Sequence, residues 1–458
     1  MMIKALFKPS TLLFCLTLAS TTIHAGEIYK DDQKQLNFDL MSWVGAFSAK
    51  ENYFPKEKKG GSDWTEGFAK YGFSGAINTG NESSIYGAIA GVTSFVRGDG
   101  DLGGNTIGNE GKTTLENAYI GWKSGDLFPA LGKNGLDISF GQQVYHLGDG
   151  FLITDDSANL GNAGGDDSAV NKVLNRGGGY YTAPRRAFHN AAVLKIGQAE
   201  GLKAEFAWVQ SDNGIQSSSE FAAADLTYKK GANILGFDYV QFLDIDQSEA
   251  IFNPSNFSRE NMKVYSIRGE TNANVENLTL NFNYSRQEKE KALTATYDLI
   301  DKDHNDHAWY TGINYNFVKA PWTPTVGYRY THYSEEWNPM FVGIEKLGTW
   351  IPGEVAGNFA GPFNTNSNIH MVSVEAFPSE KLILGANLYQ IDSAEKSPTL
   401  NFSAKELDIF ALYQANESLA IIPVLAVYKP EKSVVNGGSQ IGSADTNLFG
   451  GVILAINY

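Results

Sequence analysis

Connections of two kinds alternate along this chain, and that alternation limits its fold more than any single motif. Runs in which every second residue is apolar mark strands, because successive strand side chains point to opposite faces. Such runs lie near residues 34–47, 65–78, 83–97, 112–124, 135–147, 179–197, 200–211, 219–230, 232–244, 261–271, 275–287, 306–318, 322–334, 367–377, 380–392, 403–415, 417–429 and 445–458. The links after most even-numbered runs are short, as at Gly197–Gly201, Lys230–Ala232, Phe377–Lys381 and Gln414–Ser418, with Gly125–Gly135 somewhat longer. After odd-numbered runs they are usually long and polar: 48–64, 98–111, 148–178, 245–260, 288–305, 335–366 and 430–444. A soluble sandwich has no reason to sort loops by parity. A transmembrane barrel does, since one rim carries tight periplasmic turns and the other carries loops outside the cell. The expected fold is all-β: one transmembrane antiparallel β-barrel of about 18 strands over residues 26–458, with both termini on the periplasmic side.

Alternation within the strands assigns faces. Leu278, Leu280, Phe282 and Tyr284 alternate with Thr279, Asn281, Asn283 and Ser285. Trp309, Ile313, Tyr315 and Phe317 alternate with Tyr310, Gly312, Asn314 and Asn316. Hydrocarbon cannot satisfy polar groups, so the apolar set faces lipid and the polar set faces a wet lumen. The last stretch follows the rule, with Leu448, Val452, Leu454, Ile456 and Tyr458 on one face and Phe449 and Ile453 as exceptions. An aromatic C-terminus after alternating apolar residues suits the barrel-assembly machinery as a partner through Tyr458. Trp122, Trp309, Trp322 and Tyr458 suit aromatic girdles against membrane lipid and lipopolysaccharide. Pro423 interrupts an apolar strand and lacks a ladder donor, which predicts a bulge there.

Residues 1–25 read as a secretory signal: Lys4 and Lys8, the apolar run Thr11–Ser20, then Ile23-His24-Ala25 before the cut. The single cysteine, Cys15, lies inside it, which argues against a disulfide scaffold, a thiol nucleophile or a thiolate metal site in the exported chain. The net charge is −15, and the signal carries two of the lysines away, so a nucleic-acid partner is not expected. After the signal the longest apolar run, Leu419–Tyr428, is too short for a membrane helix. No globular plug precedes the first strand, which argues against a gated, energy-coupled transporter.

The link from His146 to Tyr180 is too long for simple closure. It points to a segment folded into the pore as a constriction, with Asp149, Asp155, Asp156, Asp166, Asp167 and Arg176 as candidates. A calcium site from Asp155, Asp156, Asp166 and Asp167 is an alternative, although their spacing matches no ligand loop. A solvated surface loop is the third. The motifs Ser139-Phe140-Gly141-Gln142-Gln143, Gly148-Asp149-Gly150-Phe151, Asn175-Arg176-Gly177 and Pro184-Arg185-Arg186-Ala187-Phe188 resemble those of the alginate export family of outer-membrane proteins. The resemblance covers residues 112–196. It implies an eighteen-stranded barrel with a polar pore, and the OprD-like porins are a neighbouring possibility. Family members often carry Gly-Arg-Gln where this chain has Gly141-Gln142-Gln143, so one basic position is missing at Gln142 while Gln143 remains a pore-lining candidate.

Parity places Lys70, Arg185, Lys195, Lys203, Arg268 and Arg329 inward, against Asp39, Asp137, Glu205, Asp225, Asp238, Glu270, Glu375, Glu406 and Asp408. A conduit for a polyuronate needs rings of mainly basic residues, and this lining is mixed. Arg268 and Glu270 share a face and are expected to pair. The expectation is a passive channel for small hydrophilic solutes in the outer membrane of a Gram-negative bacterium, with no cofactor. The alternatives are an exporter of an anionic polysaccharide and a surface-binding barrel acting through loops 288–305 and 335–366. Catalysis is not expected: His146, His189, His304, His307, His332 and His370 are scattered, without a nucleophile motif. A metal site at His304 and His307, in the charged stretch Asp301–His307, is the alternative for these two.

Overall fold

The computed structural model describes residues 26–53, 60–162, 169–293, 299–342, 347, 349–397 and 400–458. The signal reading for 1–25 and the candidates Asp166 and Asp167 fall outside these. Eighteen antiparallel strands form the wall. They are β1 (Lys34–Ala49), β2 (Ser62–Gly80), β3 (Ser83–Gly98), β4 (Gly111–Lys123), β5 (Leu136–Gln143), β6 (Phe188–Gly197), β7 (Gly201–Gln210), β8 (Glu220–Lys230) and β9 (Asn233–Asp244). The second half continues with β10 (Lys263–Thr271), β11 (Leu278–Leu293), β12 (Leu299–Asn316), β13 (Thr325–Tyr333), β14 (Ser367–Ser379), β15 (Leu382–Ser393), β16 (Ser403–Gln414), β17 (Leu419–Pro430) and β18 (Asn447–Asn457).

Each strand pairs with the next in sequence, and β18 pairs with β1 from Met41↔Asn457 to Ala49↔Phe449, which closes the cylinder. Closure removes the open edge that lipid cannot satisfy. The lower part of β1, below Met41, is left uncovered by β18. A short strand, Gly26–Lys30, covers it by pairing with Gln35–Phe38. A Cβ at Gly26 would lie 2.8 Å from the Tyr458 ring, so a side chain there has to displace that ring.

The outer face is a belt of exposed apolar residues, among them Phe73, Ile89, Ile120, Phe206, Phe237, Phe282, Ile313, Leu388, Ile409 and Leu425. Leu448, Val452, Leu454, Ile456 and Tyr458 are exposed as expected. The exceptions Phe449 and Ile453 point inward and are buried. No helix among the described residues is long and apolar enough to cross a membrane. Tight turns gather at one rim. Asn81 and Glu82 both take positive φ, 48° and 56°, the two-residue hairpin geometry that matches strand twist.

Three expectations need correction. The sixth strand begins at Phe188 rather than near 179, because residues 179–187 turn into the lumen. In the link 288–305 the described residues, 288–293 and 299–305, are strand rather than loop. β11 and β12 run on past the rim as a paired hairpin, with Glu288↔Asn305 and Lys289↔His304 in register. Outside the membrane both faces of a hairpin can be polar, so its charges hide the strand period. Pro423 makes no bulge, since Pro423↔Val452 keeps the register of its neighbours. Instead the ladder between β17 and β16 skips from Val424 to Ile421, which is where the missing donor falls.

Candidate functional site

Two loops from the long-link rim fold back into the barrel. The first joins β5 to β6 (residues 144–187) and the second joins β13 to β14 (334–366). They meet as a parallel bridge, Ile153–Asp155 beside Phe341–Val342. The first loop turns at Gly148-Asp149-Gly150-Phe151. Gly148 has φ +59°, and a Cβ there would stand 2.6 Å from Arg268 Nε, so only glycine fits against the wall. Asp149 Oδ2 accepts from the Tyr310 hydroxyl at 2.7 Å, and its Oδ1 accepts from Phe151 N at 3.1 Å. Phe151 then packs on Tyr310, Tyr333 and Trp350, with ring centroids 5.2–5.8 Å apart.

Wall carboxylates hold the loops by accepting their main-chain N–H groups. Glu66 on β2 accepts from Thr182 N at 2.6 Å and from Trp64 Nε1 at 3.2 Å. Glu116 on β4 accepts from Arg186 N at 2.7 Å and Ala187 N at 3.0 Å. Its place in the lumen follows from a bulge between Ala90 and Gly91 in the β3–β4 register. On β16, Glu406 accepts from Val355 N at 2.6 Å and Ala356 N at 2.8 Å, and Asp408 from Glu354 N at 3.1 Å. These N–H groups open a π-helix, Gly353–Ala360, and a carboxylate suits such a terminus. The Tyr181 hydroxyl donates to Glu354 Oε2 at 2.5 Å and so ties the first loop to the second. Parity reasoning missed Glu66 and Glu116. Glu66 shares the inner face of β2 with Lys70 and was within reach; Glu116 was hidden by the bulge.

The first loop also carries its own ion pairs. Arg176 reaches Asp156 at 3.0 Å and Asp212 at 3.1 Å, and Arg185 reaches Asp212 at 3.0 Å. Arg186 pairs with Asp155. Asp156 also accepts from Ser211 and Asn213. Burial raises the Asp156 carboxyl, while Arg176 opposes that shift. Asp155 and Asp156 are engaged by arginines, and the other two calcium candidates, Asp166 and Asp167, lie outside the described residues. Arg185, assigned by strand parity, is buried on this loop rather than carried by a strand. Behind the loops sits Arg259, buried over the Phe242 and Phe341 rings. It donates to Asn338 Oδ1 at 3.0 Å and to the Gln216 and Met340 carbonyls, and burial lowers its guanidinium to about 9.

The remaining candidates line the wall. Arg268 does not pair with Glu270, two residues along the same strand. It pairs with Asp225 on β8 and with Asp238 on β9, the latter at 3.2 Å, because neighbouring strands bring those carboxylates to its head. Glu205 takes Lys203 at 3.1 Å and Lys195 at 3.7 Å. Gln143 accepts from Ser139 Oγ at 2.9 Å. Arg329 lies 4.7 Å over the Trp350 ring and donates to the Thr349 carbonyl. Glu270 is half-buried on β10, and Glu375 is buried on β14. Toward the short-turn rim the lumen opens into a cavity of about 710 Å³, lined among others by Asp39, Lys70, Tyr86, Tyr119, Asp137, His146 and Lys195. The Tyr86 hydroxyl donates to Asp137 there at 2.6 Å. The arrangement is a charged, water-accessible vestibule beneath a lumen narrowed by two pinned loops.

No family model matches the sequence, and no curated protein matches it. Solved structures do match. Acinetobacter baumannii OccAB1 has a TM-score of 0.58 at 13% identity, over 95% of this chain and 98% of that one. A BenF-like porin from Pseudomonas fluorescens Pf-5 has a TM-score of 0.56 at 10% identity, over 92% and 99%. Pseudomonas aeruginosa OccK7 (OpdD) has a TM-score of 0.54 at 10% identity, over 93% and 99%. At such identities the likeness is one of fold. That fold is an eighteen-stranded antiparallel β-barrel, which the chain shares with these proteins.

Proposed function

We propose that this protein is a passive channel for small hydrophilic solutes in the outer membrane of a Gram-negative bacterium. The observation that carries the proposal is a closed barrel with an apolar belt outside and a charged cavity of about 710 Å³ inside. Such a barrel places water against the lumen wall and hydrocarbon against the belt. The two inserted loops set the size limit, since a solute must pass between their pinned residues and the wall. Conduction of this kind needs neither catalysis nor a cofactor. The outward belt suits lipid and lipopolysaccharide, and the exposed Tyr458 suits recognition by the barrel-assembly machinery.

An exporter of an anionic polysaccharide is less well supported. Its lumen should be lined mainly by cations, whereas here the basic side chains are interleaved with Glu205, Asp225 and Asp238. The porin-type likeness also favours the passive channel. One observation favours a surface-binding role instead: β11 and β12 extend past the rim as a charged hairpin. A swelling series separates these. Liposomes carrying the protein are expected to swell in small neutral, acidic and basic solutes, with rates falling as size grows. Selective block by uronate oligomers points to the exporter. Absence of swelling, with a surface ligand still bound, points to the binding role.

A further inference from the structure

We propose that His304, Asp306 and Glu336 form a divalent-cation site of the zinc class at the long-loop mouth, joining β12 to the base of the second inserted loop. His304 and Asp306 stand two apart on one strand, so both side chains leave its inner face. Glu336 comes from the loop that begins at Ser334. His304 Nε2 lies 3.2 Å from Glu336 Oε2 and 3.7 Å from Asp306 Oδ2, and one ligand atom from each residue lies within 4.8 Å of the others. On a tetrahedral ion with bonds of about 2.0–2.1 Å, neighbouring ligand atoms stand about 3.3 Å apart. Small side-chain adjustments therefore suffice.

The ring orientation is a second observation. His304 Nδ1 lies 3.0 Å from the Lys302 carbonyl oxygen, which puts a proton on Nδ1 and turns Nε2 toward the two carboxylates. Nε2 thus faces two carboxylates, a position that takes either a proton, as in an ion pair, or a metal cation, and zinc titration separates the two. Lys289 meets Asp306 at 2.9 Å, and Ser334 Oγ donates to the other Asp306 oxygen at 2.7 Å, so this carboxylate is held in place. Glu336 adds a further negative charge. Its side chain is 53% exposed against 14% for His304, which gives the ion an entry path and leaves room for water as a fourth ligand. One nitrogen and two oxygens suit zinc or manganese. They suit calcium poorly, since it takes six to eight oxygens.

The test is calorimetric titration of tag-free protein in detergent with zinc chloride, with calcium chloride as the comparison. Wild type is expected to bind one zinc ion, and calcium far more weakly. His304→Ala is expected to weaken zinc binding by at least about tenfold. Glu336→Gln is expected to weaken it several-fold, and His307→Ala, whose ring stacks outside on His332 at 5.1 Å, to leave it unchanged. Zinc should also raise the melting temperature of wild type but not of the His304 variant. If His304→Ala does not fold, Glu336→Gln decides. No zinc heat in wild type, or binding that survives both ligand substitutions, overturns the proposal.

Discussion

The Trp350 indole donates to the main-chain carbonyl of Asp149 at 3.0 Å, so the tips of the two inserted loops are fastened to each other inside the barrel. The same ring packs on Phe151 and Tyr310 and lies under Arg329. Trp350→Ala removes all of these contacts. Deleting a buried tryptophan costs about 3–5 kcal/mol. The expected outcome is a lower melting temperature in detergent together with a larger single-channel conductance, since the loops lose their mutual tie. A smaller conductance would mean that Trp350 does not narrow the path.

A second prediction concerns the wall. Arg268 is buried between Asp225 and Asp238, and replacing it leaves two neighbouring carboxylates without a cation. Breaking such a buried set by removing one member costs about 3–5 kcal/mol. Arg268→Met should therefore be strongly destabilising in thermal unfolding. Adding Asp225→Asn and Asp238→Asn to that variant should recover part of the loss, and failure of that recovery would argue that packing, not charge, sets the effect.

Glu406 accepts two main-chain N–H groups at the start of the π-helix. Hydrogen bonds to a charged acceptor contribute about 1.5–3 kcal/mol each. Glu406→Gln keeps the shape and removes the charge. The barrel should remain folded while residues 353–360 are cut faster in limited proteolysis from the long-loop side. Unchanged cleavage would show that the loop is held elsewhere.

Acid should loosen the first loop. Burial pushes the Asp212 carboxyl up, but Arg176 and Arg185 outweigh it and hold the group below the usual carboxylate range. A carboxyl lowered on folding adds stability above its unfolded value, and that stability is lost as pH falls through the lowered value. Asp212→Asn should thus be less stable than wild type near neutrality, with the gap closing at the acid end. Thermal melts across pH measure this, and a gap that persists in acid would contradict it.

Much of the barrel could be read from the chain because its rules are local. Parity of link length gave the rims, and alternation such as Leu278 to Tyr284 gave the faces. The inward exceptions Phe449 and Ile453 carried more information than the rule. Phe449 lies with Phe47, Tyr181 and Phe359, where the wall grips the loops. What stayed hidden was long-range. Nothing near Glu116 in sequence announces that its partners are Arg186 and Ala187, and only a bulge turns it inward. The β11–β12 hairpin was hidden for a different reason, since outside the membrane hydropathy no longer marks strand faces. Arg268 was expected to pair with Glu270, yet its partners lie across strands rather than along its own.

The most direct measurement is current through a planar lipid bilayer to which the detergent-solubilised protein is added. A water-filled lumen inside one closed cylinder predicts discrete upward steps of uniform size that scale with salt concentration. Protein that inserts with its native heat-modifiable mobility and yet passes no current would contradict the channel.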